Sequence, residues 1–196
     1  MPSLRVQGQT FFYETEGEGF PLVLTSGGPE GLALWRPLLP LLGELCRVVC
    51  TAPAASPLPV VALEALLEAL EVPQGYLGGH ALGALQVLDF AREQAGRIAG
   101  LVLVSPRGQR ADLAAALGHP AWQALPVPML VVGAPGVPSP PPATGRFSTV
   151  RRGVALPEVA DDPLREQPAR LGQVIHDFLL HCERQRHLVR GASLLL

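Results

Sequence analysis

Lysine and asparagine are both missing from this 196-residue chain, so all 15 of its basic residues are arginine. The bias fits the codon usage of a GC-rich, bacterial-type genome. It equally fits a heat-tolerant protein with few deamidation-prone sites. Cysteine is scarce and odd in number: Cys46, Cys50 and Cys182. Cys46 and Cys50 flank the apolar run Arg47-Val48-Val49, and no second Cys or His cluster follows at zinc spacing. They read as small buried thiols of a reducing cytoplasm rather than as metal ligands. Strong charge of one sign is absent too; the net charge of −2 excludes an electrostatic pull toward nucleic acid or anionic membrane. The longest uncharged stretch, Leu113 to Gly145, is broken by prolines from Pro120 to Pro142, which excludes a membrane helix. Met1-Pro2-Ser3-Leu4-Arg5 lacks the charged and apolar regions of a signal peptide, so a cytoplasmic protein is expected.

What is present is apolar. Hydrophobic residues make up 48% of the chain and the mean hydropathy is +0.28, so a folded core is expected over most of the length. The length suits one domain spanning residues 1–196. Leu4-Arg5-Val6 and Thr10-Phe11-Phe12-Tyr13 read as a hairpin closed near Gln7-Gly8-Gln9. Continuous apolar runs at Leu22–Thr25, Arg47–Cys50, Tyr76–Gly78, Gly100–Ser105 and Met129–Gly133 read as buried strands. Phe147–Val154 holds a last strand. Helices are expected at Trp35–Leu42, with Pro37 in the first turn, and at Val61–Leu70, Leu82–Glu93 and Leu171–His187. The last carries one stripe of Leu171, Val174, Ile175, Phe178, Leu179 and Cys182. Strands alternating with helices predict an α/β fold: a mostly parallel central sheet with an antiparallel hairpin at its start and helices on both faces. The proline-dense segment 135–142 is expected to be a stiff surface loop.

The chemistry-bearing residues cluster in two segments. Ser26-Gly27-Gly28-Pro29-Glu30-Gly31 is a glycine-rich turn after the strand at Leu22. Gly79-His80-Ala81-Leu82-Gly83 has the form G-x-S-x-G, with Ala81 where the serine belongs. In that motif a strand turns sharply into a helix and lifts the central side chain clear of the sheet as a nucleophile. Alanine has no atom that attacks a carbonyl. The remaining groups are blander. His119 precedes Pro120 in a loop. His176, His181 and His187 have no carboxylate or Cys at metal-ligand spacing and read as solvated helix positions. Asp161-Asp162 reads as a proline-flanked helix entry, and Arg151-Arg152 as an exposed charge pair. No metal or cofactor is implied.

Segments such as Leu77-Gly78-Gly79-His80-Ala81-Leu82-Gly83-Ala84 and Ile98-Ala99-Gly100-Leu101-Val102-Leu103-Val104-Ser105-Pro106, in this order and spacing, make the chain resemble the α/β-hydrolase family over nearly its whole length. The resemblance implies a nucleophile, an acid, a histidine and an oxyanion hole. It places the nucleophile at Ala81. It places the acid just past the strand ending at Gly133, where the chain reads Ala134-Pro135-Gly136. The family's G-H lies ahead of an E-x-P, here Glu166-Gln167-Pro168, which puts Ala160-Asp161 at that place. All three positions, Ala81, Gly136 and Asp161, are vacated. Where relatives read H-G-G-P-G, this chain reads Ser26-Gly27-Gly28-Pro29-Glu30, so backbone donors there and at Leu82 are retained with no nucleophile to serve. Relatives usually insert a helical cap between the strands that here end near Ser105 and start near Met129, and the twenty or so residues between leave no room for one.

Two functions remain open. One is an inactive homologue that works as a binding or scaffold protein, taking a small apolar molecule at the old cleft, lined by Ser26, Gly27, Gly28, His80, Ala81 and Leu82, or a protein. The apolar tail Leu194-Leu195-Leu196 adds a homodimer as a possible partner. The other is an atypical esterase-like hydrolase: Asp161 or Asp162 can approach the edge that carries Ser26 and His80, and a displaced triad is drawn with Ser26 as nucleophile, His80 as base and Asp161 as orienter.

Overall fold

The computed structural model describes residues 2–54, 60–106, 125–136 and 150–193. An eight-stranded sheet forms its centre, in the order β1-β2-β4-β3-β5-β6-β7-β8. β1 (Ser3–Val6) and β2 (Gln9–Glu16) form the predicted hairpin. Val6 faces Gln9 across a two-residue turn with Gln7 at φ 48° and Gly8 at φ 79°. Positive φ at both central residues gives the turn whose twist matches that of its strands. β2 runs antiparallel to β4 (Arg47–Pro53). The remaining pairs are parallel: β3 (Pro21–Ser26) with β4 and with β5 (Gly75–His80), then β6 (Ile98–Val104), β7 (Met129–Gly133) and β8 (Arg151–Ala155) in succession.

The unbroken apolar strands follow from burial on both faces. Leu22, Leu24, Val48, Tyr76, Val102, Val104, Leu130 and Val132 point into one core, with Trp35 and Leu42 from the helices that follow β3 and with the long last helix. Their neighbours in sequence, Val23, Val49, Leu77, Leu101, Leu103, Met129 and Val131, point into the other. That second core is closed by α3 (Val60–Ala69) and α4 (Leu82–Glu93).

The region predicted as a helix over Trp35–Leu42 starts earlier and is broken. α1 (Gly31–Trp35) passes through a 3-10 turn at Arg36–Leu38 into α2 (Leu39–Gly43). Pro37 and Pro40 each sit in a first turn, where a missing N–H costs nothing. β5 contains the predicted Tyr76–Gly78 and extends beyond it to Gly75 at its start and through Gly79 to His80 at its end. β8 begins at Arg151 rather than Phe147, and residues 147–149 lie outside the described set. So do the connection at 107–124, where the missing cap was expected, the proline run 137–142, and the tail 194–196.

The short α5 (Pro163–Glu166) leads into α6 (Pro168–Ser193). The predicted stripe is the face that packs: Leu171, Ile175, Phe178, Leu179 and Cys182 are buried and Val174 lies against the same core. Farther along α6, the Tyr76 hydroxyl donates to Glu183 Oε1 at 2.6 Å. The Arg186 guanidinium pairs with the same carboxylate and lies 3.3 Å over the Phe20 ring, and Phe20 meets Tyr76 edge-on at 5.3 Å. This cluster fastens α6 to the amino edge of the sheet. Cys46, Cys50 and Cys182 are free and buried, as expected; burial pushes the Cys46 and Cys182 thiols up to about 12, which makes them inert. No helix among the described residues is long and apolar enough to cross a membrane.

Removing the hydroxyl with Tyr76→Phe takes away a bond to a charged acceptor and keeps the ring packing. Chemical denaturation is expected to show a loss of about 1.5–3 kcal/mol. A change under about 0.5 kcal/mol would mean that Glu183 is held by Arg186 alone.

Candidate active site

The chain passes from β3 to β4 on one side and then to β5 on the other. The order of strands therefore reverses between β3 and β5, and the crevice outside the carboxyl ends of such a pair is where open α/β sheets bind ligands. The two segments singled out in the sequence meet there. Ser26 and His80, the last residues of their strands, are register partners. The glycine turn and the Ala81 turn begin side by side from this pair.

Ala81 stands between β5 and α4 at φ 53°, ψ −119°. That conformation is foreign to a residue with a Cβ and costs on the order of 1–3 kcal/mol. Two close approaches build it. A Cβ on Gly79 would fall 2.3 Å from the Gly83 carbonyl oxygen, and one on Gly83 would fall 2.9 Å from Ser26 Cα. Only glycine lets α4 start so near the strands. The sharp strand-turn-helix is present in full and presents a methyl group. Ala81 is half-buried, while Leu82 beside it is among the most exposed large apolar side chains described.

His80 faces the opposite way, into the core beneath the turn. Its ring stands edge-on to Trp35, with centroids 6.4 Å apart. Its Nε2 lies 2.9 Å from Asp162 Oδ2. The displaced triad drawn from the sequence used Asp161; the structure brings Asp162 instead. The Glu166 carboxylate accepts from the backbone N–H groups of Ala160, Asp161 and Asp162, each at 2.8 Å. With the loop pinned in this way, Asp162 turns inward as the N-cap of α5, accepting from Leu164 N–H at 3.0 Å, and Asp161 is left exposed. Burial alone pushes the Asp162 carboxyl up. The His80 bond and charge, the Leu164 N–H and Arg165 outweigh it and hold the group below its ordinary value.

Ser26 is equally confined. It is 1% exposed, and its hydroxyl donates to the Gly28 carbonyl at 2.8 Å. A Cβ on Gly31 would fall 1.6 Å from its Oγ. Ser26 is thus a turn residue walled in by the start of α1. Gly27 packs directly on Leu82: its Cβ would fall 2.6 Å from Leu82 Cβ. Gly28 lies under the Glu30 carboxylate, whose Oε2 would be 2.6 Å from a Cβ there. A negative group thus sits over the loop that the resemblance assigns to binding an oxyanion.

Gly136, at the acid position, is exposed and has φ 91°, a backbone that an aspartate enters only with strain. Arg152 is exposed as read from the sequence, but Arg151 is half-buried and donates to the Leu125 carbonyl. His119 lies outside the described residues, among which no cluster of His, Cys, Asp or Glu forms a metal site. Ser105 was not singled out in the sequence. It is 6% exposed with φ 40°, and its Oγ has no hydrogen-bond partner among the described residues. A serine closing an apolar strand carries no sign of either property.

No protein-family model matches this sequence, and no curated protein does. Solved structures do. A meta-cleavage product hydrolase from Pseudomonas fluorescens, determined as a serine-to-alanine variant with acetates, aligns over 92% of this chain and 98% of its own with a TM-score of 0.70 at 17% identity. A thermophilic esterase from Thermogutta terrifontis aligns over the same shares, with a TM-score of 0.70 at 19% identity. The enol-lactonase of Burkholderia xenovorans covers 91% of this chain and 100% of its own, with a TM-score of 0.66 at 17% identity. This chain has the α/β-hydrolase fold. The position between β5 and α4 is accordingly the elbow of that fold, and Ala81 occupies its tip.

Two outcomes test this account of the site. Ala81→Gly removes the Cβ from a positive-φ position and is expected to raise stability by about 1 kcal/mol in thermal denaturation; a lowered melting temperature would mean the turn is unstrained. Asp162→Ala removes the cap and the His80 partner together, at about 2–4 kcal/mol, whereas Asp162→Asn keeps the cap and is expected to cost about 1 kcal/mol less. Because the folded carboxyl titrates below its unfolded value, its contribution is full above about pH 4 and disappears as pH falls through the folded pKa. The stability gap between wild type and Asp162→Asn should shrink as pH falls through that acid range.

Proposed function

We propose that this protein is a catalytically inactive member of the α/β-hydrolase fold that acts by binding, with the vacated elbow as its ligand site. One observation carries the reading: the strained backbone of Ala81 keeps the geometry that presents a nucleophile, and presents a methyl group. The surroundings support it. The imidazole next to the elbow is turned inward and bonded to Asp162. The nearest serine on β3 spends its hydroxyl on Gly28. The Glu30 carboxylate opposes any negative charge developing over the glycine loop. A serine hydrolase stripped of its triad retains only about 10³–10⁴-fold acceleration over water from the oxyanion hole and binding. A small apolar molecule over Ala81 and Leu82 suits the exposed surface.

The His80–Asp162 pair supports a second reading, a hydrolase with a displaced nucleophile, because an oriented imidazole is half of an acid–base device. That reading needs an oxygen nucleophile near His80. Ser26 meets it poorly, with its Oγ committed and enclosed.

p-Nitrophenyl acetate and butyrate separate the two. Wild type, Ser26→Ala and His80→Ala are all expected to match the buffer rate, and Ala81→Ser alone is expected to stay inactive for want of a base in reach. Turnover by wild type that disappears in His80→Ala would overturn the binding reading and establish the second.

A further inference from the structure

We draw no further inference here: the strongest candidate, the open cleft at the carboxyl end of α3 lined by Glu68, Glu71, Val72, Pro73 and Arg97, rests on the carboxylates of Glu68 and Glu71 alone, since the Arg97 guanidinium is already bonded to the Val72 and Pro73 carbonyls, and nothing among the described residues shows what those carboxylates would hold.

Discussion

The turn at Ala81 is the constraint on which the carboxyl edge of the sheet depends. For β5 to end and α4 to begin within one residue, the helix must start in contact with β3 and β5. That contact is possible only because Gly79 and Gly83 have no side chains. The same closeness brings Gly27 against Leu82 and sets Ser26 beneath the start of α1. One strained residue thereby fixes the positions of the glycine loop, the helix start and the His80 ring. In the hydrolases of this fold such strain serves a nucleophile. Here it is kept around a methyl group, and a strained backbone persists only where its surroundings over-determine it.

Below the turn, polar groups form one connected arrangement. Glu166 gathers three amides, Asp162 caps α5 and holds His80, and Trp35 covers the imidazole and donates from Nε1 to the Thr25 carbonyl at 3.4 Å. The loop ahead of E-x-P, which the family resemblance would furnish with a histidine, supplies a carboxylate instead. The histidine comes from the strand. The pair joins the elbow to α5 and α6 across 82 positions of sequence.

Much of the architecture was legible in the letters. Runs such as Leu101-Val102-Leu103-Val104 and Met129-Leu130-Val131-Val132 mark strands buried on both faces, and the stripe from Leu171 to Cys182 marks the face of α6 that packs. The extension of β5 past Gly78 through Gly79 to His80 was not legible, because glycine has little preference for strand and Gly79 is there for the approach of Gly83. The break between α1 and α2 depends on where Pro37 and Pro40 fall within a turn. At the site, Ala81, Gly27 and Leu82 came from a spaced motif. Which of Asp161 and Asp162 meets His80 is decided by a loop wound around Glu166, a three-dimensional matter that two adjacent identical letters do not reveal. The lone hydroxyl of Ser105 follows from strand register and burial, and neither is written locally.

The central claim is that the frame of a hydrolase persists here without a reactive oxygen. Its most direct measurement is exposure of the folded protein to a fluorophosphonate, which phosphonylates activated serines, followed by intact-mass and peptide analysis. The account predicts an unmodified mass with no labelled serine. A stoichiometric adduct on Ser26, Ser105 or any other serine, absent after heat denaturation and absent in His80→Ala, would contradict it.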